Sequence, residues 1–199
     1  GGIGQRFIDA GYKTYKPFLK VSKKNRVIDK IVSNFPSKKT KVIIIGNEKK
    51  FQLIKSSFKK NTLFIKIKNH KYGPLYSIFL ANKELKRIIK DRQFFIVYSD
   101  INWNWKFQHI NKFIKHKKAV VFTHKGYHPD LEINTKSDFC SINQKNYINK
   151  VSEKKLIFKD YKKNLLATGC YYFCNYKFLE DFFEKSKIFL RPKTKEYYL

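Results

Sequence analysis

Residues 94–100 read Phe-Phe-Ile-Val-Tyr-Ser-Asp, five apolar or aromatic side chains followed at once by two polar ones. A short apolar run of this kind is typical of a strand that is buried on both faces of a sheet. Stretches with helical spacing separate it from similar runs at residues 41–45, 62–67 and 119–122. This alternation predicts an α/β fold with a mixed, mostly parallel sheet.

The rest of the chain is organised around these strands. Helical spacing of apolar residues is found in residues 25–35, 50–58, 74–89, 107–114 and 176–187. Residues 1–20 are rich in Gly, Lys and Pro and are predicted to form an extended loop. Residues 138–174 contain short alternating segments, which predict antiparallel strands beside the parallel core. We expect a single domain over residues 1–199 that lacks its first strand and a C-terminal part.

The composition favours a globular protein. The chain has 199 residues, of which 42% are hydrophobic and 17% aromatic, and this apolar content argues against disorder. No run of about 18 apolar residues and no signal-peptide pattern occurs, so a cytoplasmic protein without a membrane span is predicted. The three cysteines, Cys140, Cys170 and Cys174, lack zinc-type spacing, and we expect reduced, buried thiols.

The formal net charge of +29 comes almost entirely from lysine, because only five of the 44 basic residues are arginines. Proteins that read nucleic-acid sequence rely on arginine for bidentate contacts. Lys, Asn, Ile, Phe and Tyr are abundant together, which is typical of A/T-rich codons. Most lysines are therefore interpreted as a solvated surface, although a phosphate-rich partner would be attracted by this charge.

Three motifs carry groups that suit phosphate or metal chemistry. Residues 1–6 read Gly-Gly-Ile-Gly-Gln-Arg, where glycine lets backbone N–H groups approach a phosphate and arginine adds a forked charge. Lys16, fixed in front of Pro17, can reach a phosphate as a point charge. Asp100 directly follows the apolar strand, and its carboxylate can hold Mg²⁺ against a triphosphate. Ligands bind at the carboxyl ends of strands in open α/β sheets, so the glycine loop and Asp100 are expected at one edge.

Each motif alone also fits an ordinary turn or a surface charge, but their order along the chain is distinctive. The glycine motif is followed by Lys-Pro, by Gly-Pro-Leu-Tyr-Ser, by Ser-Asp, by Glu-Lys and by Thr-Gly-x-Tyr-Tyr-Phe, at residues 16–17, 73–77, 99–100, 153–154 and 168–173. This order resembles the sugar-phosphate nucleotidyltransferase family, the nucleoside-diphosphate-sugar pyrophosphorylases. Residues 11–18 resemble its branch from capsule and lipopolysaccharide gene clusters.

The resemblance implies a Rossmann-like, three-layer α/β/α fold of the glycosyltransferase-A type. It also implies a Mg²⁺-dependent displacement in which a sugar 1-phosphate and a nucleoside triphosphate give a nucleotide sugar and pyrophosphate, for surface polysaccharide biosynthesis. Such a reaction asks the protein mainly for positioning and charge neutralisation. The implied partners are these two substrates, with no membrane span and no specific nucleic acid, and a homo-oligomer is left open.

The resemblance further implies a role for each matching residue. Residues on the nucleotide side would be Gly1, Gly2, Gly4, Gly73 and Ser99, with Gly73 against the nucleobase. The catalytic residues would be Arg6, which neutralises the departing pyrophosphate, and Lys16, which stabilises the transferring phosphoryl group. Asp100 would bind Mg²⁺. Three residues would bind the sugar phosphate: Glu153, Lys154 and Gly169.

The chain departs from the family pattern at several positions. Tyr15 stands where the family usually has the first proline of Pro-Lys-Pro, and Lys155 replaces the proline of Glu-Lys-Pro. The glutamine that often reads the base has no match near residues 68–70, and a second Mg²⁺ ligand is expected beyond Leu199. The choice of base and sugar therefore stays open, and this fragment itself is expected to bind weakly or to be inactive.

Two alternative functions remain at this stage. One is a cytidylyltransferase that acts on a non-sugar phosphate such as phosphocholine. The other, from a different class, is a lysine-rich nucleic-acid-binding module in which three aromatic side chains stack on bases: Tyr72, Trp103 and Trp105. A homologue that has lost catalysis is disfavoured because Arg6, Lys16 and Asp100 are all present.

Overall fold

Two compact units share the chain in the computed structural model, which describes residues 5–36, 38–56, 58, 62–128 and 137–187. The larger unit comprises residues 1–94, 98–118 and 173–199, and the smaller unit comprises residues 95–97 and 119–172. The single domain expected over residues 1–199 stays a prediction.

A pair of parallel strands forms the sheet of the larger unit. The apolar runs become β1 (Val42–Asn47) and β2 (Thr62–Ile67), which pair in register from Val42 opposite Thr62 to Asn47 opposite Ile67. Helix α3 (Phe51–Ser56) lies between them in sequence, as parallel strands require a crossover. Strands and helices that alternate in this way confirm the α/β class.

The described part of the larger unit contains six further helices. They are α1 (Gln5–Asp9), α2 (Val27–Ser33), α4 (Gly73–Leu80), α5 (Asn82–Ile89), α6 (Phe107–Ile114) and α7 (Tyr176–Lys187). Helices α2, α4, α5, α6 and α7 bury their apolar faces through side chains such as Ile31, Leu75, Leu85, Ile114 and Leu179. This burial on helical spacing is why the amphipathic pattern predicted their positions.

The helix predicted over residues 74–89 is two helices. The chain leaves helical geometry at the fully buried Ala81, between α4 and α5. The hydroxyl of Tyr176 in α7 donates to the carbonyl oxygen of Asn82 at 3.2 Å, or to its side-chain oxygen at 2.5 Å. A tertiary contact therefore holds the chain at this break, which the apolar spacing alone could not indicate.

The N-terminal segment is more regular than the extended loop predicted for residues 1–20. Residues 5–9 form α1, which ends where the N–H of Gly11 bonds to Ile8 and the N–H of Tyr12 bonds to Phe7. A 3-10 turn follows at Lys16–Phe18, with Pro17 buried. Local hydrogen bonds thus organise a stretch whose composition indicated only loop.

The smaller unit is built on a five-stranded sheet. Its strands are β3 (Phe94–Val97), β4 (Ala119–His124), β5 (Asp138–Ile142), β6 (Ile148–Glu153) and β7 (Leu165–Phe173). The order is β3-β7-β5-β6, and β4 also pairs with β7. Strand β5 is antiparallel to both β6 and β7, which confirms the antiparallel stretch predicted for residues 138–174.

The three cysteines are free thiols, and two of them are buried in this sheet. Burial raises the pKa of both the Cys140 and the Cys170 thiol, so neither is a reactive thiolate at neutral pH. All three are free, as expected, but Cys174 is only partly buried, whereas the sequence predicted buried thiols. In the described part of the chain, no helix has the length and apolarity needed to cross a bilayer.

Candidate active site

Lys16 and Asp100 form an ion pair although 84 residues separate them. The Lys16 ammonium donates to Asp100 Oδ2 at 2.7 Å, and both residues belong to the larger unit. The two side chains are 33% and 37% exposed, so the pair is open to solvent on one side. The structure thus brings together the two residues that the sequence singled out for phosphate and metal chemistry.

The backbone around Lys16 is held rigidly. The ring of Pro17 fixes the φ angle of this proline, which is buried, while Tyr15 is extended. The N–H of Phe18 donates to the Tyr15 carbonyl at 2.8 Å and closes the turn. The Lys16 ammonium also lies 4.9 Å from the centre of the Phe7 ring, a cation–π distance. The start of the lysine side chain is therefore fixed, and only its flexible stem can move.

Asp100 lies just beyond the end of β3, next to the exposed Ser99. The chain that follows is anchored to the end of α2. The indole N–H of Trp105 donates to the Asn34 carbonyl at 2.9 Å, and the Asn34 amide donates to Asn102 at 3.1 Å. Asp100 thus follows a strand end, and the chain beyond it is held through Asn102 and Trp105. That ligands bind at this edge stays a prediction.

Tyr15 directly precedes Lys16 in the chain and is half-buried. Burial raises the pKa of its phenol, and the negative charge of Asp100 raises it further. Its hydroxyl is therefore protonated at neutral pH. The residue that replaces the usual first proline of Pro-Lys-Pro adds no charge beside Lys16.

Asp100 is the carboxylate that the sequence predicts for a metal at this position. No group of three or more His, Cys, Asp or Glu side chains suited to a metal occurs among them. Magnesium in proteins is commonly held by one or two carboxylates together with substrate phosphates and water. Asp100, part-exposed and beside a lysine that suits phosphate, fits such a shared site.

Gly73 begins α4 with a φ angle of +80°, a conformation that side chains with a Cβ rarely adopt. The buried His70 organises the turn before it. Its Nδ1 accepts from the N–H of Tyr72 at 3.2 Å, and its Nε2 lies 2.9 Å from the hydroxyl of Ser77. Tyr72 stacks on the imidazole, and Tyr76 meets it edge-on.

His70 is a residue that the sequence did not single out. Its only signal is its spacing, three residues before Gly73 and seven before Ser77. Burial lowers the pKa of the imidazole, which agrees with a neutral ring that accepts at Nδ1. The turn that presents Gly73 therefore depends on a neutral histidine.

Glu153, Lys154 and Gly169 lie in the smaller unit. Glu153 ends β6, and its carboxylate lies 3.2 Å from the ammonium of Lys154, with both side chains largely exposed. Lys154 has a φ of +53°, and its N–H donates to the Ser137 carbonyl at 3.1 Å. Gly169 is buried in β7 with a φ of +63°. Both positions thus have a positive φ angle, which is uncommon for a residue with a Cβ such as Lys154.

The glycine motif falls outside this description. Gly1, Gly2 and Gly4 lie outside the described residues, and so does the side chain of Arg6, whose backbone is part of α1. The edge position expected for this loop stays a prediction.

The two tryptophans considered for base stacking are engaged within the larger unit. Trp105 meets Phe35 edge-on at 5.6 Å between ring centres and also contacts Phe107. Trp103 meets Trp105 at 5.2 Å. Both are partly buried, and this cluster explains them as packing residues.

The chain is similar to known proteins in its sequence pattern and in its fold. The sequence model of the nucleotidyl transferase family matches residues 1–189. The fold is similar to that of a nucleoside-diphosphate-sugar pyrophosphorylase from Vibrio cholerae RC9, at 18% identity and a TM-score of 0.73, over 100% of this chain and 81% of that one. It is also similar to a protein assigned as a glucose-1-phosphate thymidylyltransferase from Bacillus anthracis, solved with a sucrose, at 18% identity and a TM-score of 0.71, over 98% and 74%. A search of curated proteins gives no significant match.

Proposed function

The chain belongs to the nucleotidyl transferase family, and from this membership we propose that it joins a nucleoside triphosphate to a sugar 1-phosphate. The products are a nucleotide sugar and pyrophosphate. The observation that carries the proposal is the Lys16–Asp100 pair, which combines a phosphate-binding cation with a metal-binding carboxylate. The similar structures from Vibrio cholerae and Bacillus anthracis, both named for nucleotide-sugar chemistry, support the substrate class.

In the proposed reaction, an oxygen of the sugar 1-phosphate attacks the α-phosphorus of the triphosphate. The bond from that phosphorus to the bridging oxygen of the β-phosphate breaks, and pyrophosphate leaves with the electron pair. Charge collects on the non-bridging oxygens, and fixed positive groups there stabilise it. Lys16 supplies such a group, on a backbone that Pro17 and the 3-10 turn hold in place.

Asp100 would hold Mg²⁺, which neutralises the triphosphate and orients it for attack. The remaining roles follow from the resemblance to the sugar-phosphate nucleotidyltransferases. Arg6 would neutralise the departing pyrophosphate. Gly1, Gly2, Gly4 and Ser99 would bind the nucleotide, and Gly73 would lie against the base.

The sugar phosphate would bind through Glu153, Lys154 and Gly169. A carboxylate accepts hydrogen bonds from sugar hydroxyls, and an adjacent ammonium pairs with the phosphate. The exposed Glu153 and Lys154 side chains provide these two groups next to each other. We place the product in surface polysaccharide biosynthesis and the enzyme in the cytoplasm, on the likeness of residues 11–18 to the capsular branch.

The test is pyrophosphate release by the full-length gene product from a grid of substrates. CTP, UTP, GTP, ATP and dTTP are each combined with several sugar 1-phosphates and with phosphocholine, in the presence of Mg²⁺. We expect turnover with one nucleotide and one sugar phosphate. Asp100→Asn should lower kcat by about 10²–10³, the usual cost of removing one charge-stabilising group.

Asp91→Asn, the same change at an exposed position in the larger unit, is the matched control and should leave turnover unaltered. Turnover with phosphocholine in place of the sugar phosphates would establish the cytidylyltransferase alternative. A folded full-length gene product that releases no pyrophosphate with any substrate pair would contradict the proposal.

A further inference from the structure

The Lys16 ammonium pairs with the same carboxylate that a metal would need. The ammonium lies 2.7 Å from Oδ2, and the two side chains are about one-third exposed. A divalent cation at Asp100 would therefore meet a competing positive charge at contact distance. Like charges at such separations repel appreciably even in water.

The structure also shows how Lys16 could leave Asp100 without unfolding its surroundings. The backbone of the turn is fixed by the buried Pro17, whereas the lysine stem has four rotatable bonds. Phe7 lies 4.9 Å from the ammonium and can keep it in the neighbourhood when it turns away. An exposed ion pair of this kind is weak, so its exchange for another ion is easy.

A triphosphate offers a partner to both members of the pair. Its oxygens would replace Asp100 as the counter-ion of Lys16, and they would complete the coordination of a metal held by a single carboxylate. If the metal bound alone, the Lys16 ammonium would lose its anion. If the nucleotide bound alone, the Asp100 carboxylate would lie beside the negative charge of the phosphates. The two ligands satisfy both groups only together.

We propose that Lys16 serves as the resident counter-ion of Asp100 and makes the site select the metal–triphosphate complex over the free metal. This inference rests on the proposed function for the identity of the ligand. The expected result is positive coupling, in which each ligand strengthens the binding of the other by the same factor.

The experiment measures Mn²⁺ binding to the nucleotide-free protein by the loss of the free Mn²⁺ paramagnetic resonance signal. Lys16→Met removes the competing ammonium, and we expect it to tighten the binding of Mn²⁺ alone by about tenfold. Lys16→Arg keeps the charge and should bind Mn²⁺ like the wild type. Asp100→Asn in the Lys16→Met background should abolish the gain.

Lys86→Met is the matched control, because Lys86 forms an ion pair of the same length, 2.7 Å, with Glu180 in the same unit. It removes the same net charge, and we expect Mn²⁺ affinity to change by less than about twofold. Thermal melting of each variant checks that it is folded. Equal Mn²⁺ affinity in Lys16→Met and wild type, or equal gains in Lys16→Met and Lys86→Met, would overturn the proposal.

A second titration uses preformed Mn²⁺–tripolyphosphate, which carries the triphosphate chemistry without a base. The wild type should prefer this complex to Mn²⁺ alone, and Lys16→Met should lose most of the preference. Both readouts are independent of turnover. If no substrate pair releases pyrophosphate but Lys16→Met binds Mn²⁺ about tenfold more tightly, only the proposed function is contradicted. If turnover occurs but Lys16→Met shows no increase in Mn²⁺ affinity, only this inference is contradicted.

Discussion

Gly73 and Gly11 share a backbone conformation, with φ angles of +80° at both positions. A residue with a Cβ pays about 1–2 kcal/mol in such a conformation, whatever its surroundings. At Gly11 an added Cβ would meet no atom within 4 Å, so the cost there is backbone strain alone. Gly73 begins α4 behind the His70 turn, at the position proposed to abut the nucleobase. The two glycines therefore separate a conformational role from a binding role.

Gly73→Ala and Gly11→Ala are expected to lower the free energy of unfolding by similar amounts, about 1–2 kcal/mol, because both impose the same strain. Only Gly73→Ala should raise the KM for the nucleoside triphosphate. The checks are urea denaturation and steady-state kinetics on both variants. An equal rise in KM for Gly11→Ala would assign the effect to general loosening of the structure.

At the scale of elements, the turn before α4 depends on one imidazole. His70 accepts the N–H of Tyr72 at Nδ1 and bonds Ser77 inside the helix, so it links the turn to the element it precedes. The burial of the ring lowers its pKa in the folded state. Protonation at Nδ1 would turn this acceptor into a donor and so break its hydrogen bond with the Tyr72 N–H.

The lowered pKa makes the stability of this turn dependent on pH. A depressed pKa contributes stability that is fully present above the ordinary histidine value of about 6.5 and is lost as pH falls below it, because the unfolded chain then binds the proton more readily. In urea denaturation between pH 5 and 8, the free energy of unfolding should fall less steeply toward acid pH for His70→Gln than for the wild type. Parallel profiles for the two proteins would contradict this role.

At the scale of the whole molecule, the net charge of +29 dominates long-range behaviour. Such a field attracts any polyanion, and attraction of this kind is steeply salt-dependent and indifferent to sequence. Trp103 and Trp105 pack against other aromatic rings in the larger unit, whereas Tyr72, the third residue considered for base stacking, is 41% exposed.

Binding to single-stranded DNA is therefore expected to collapse as salt rises. For six to ten phosphate contacts, affinity should fall by about 10³–10⁵ between 50 and 200 mM salt, measured by fluorescence anisotropy on two unrelated sequences. Trp103→Ala should change the affinity for single-stranded DNA little. Salt-resistant binding with a preference for one sequence would instead favour the nucleic-acid-binding alternative.

The α/β class and most elements were predictable because burial imposes a period on each local segment. Residues 62–67 and 107–114 form the strand and the helix that their spacing predicted. The break at Ala81 and the helix at residues 5–9 were not predictable, since they depend on contacts such as Tyr176 with Asn82 and on local turns.

By itself, the sequence determined the order of the motifs, and with it the family and the expected roles of Lys16 and Asp100. Only the tertiary structure decided that these two side chains meet, because a contact across 84 residues leaves no periodic trace in the chain. It likewise revealed His70, whose role depends on burial and on two hydrogen bonds rather than on a motif. The local structure of a segment depends on residues that are close in sequence, whereas the chemistry of a site depends on distances that only the folded chain defines.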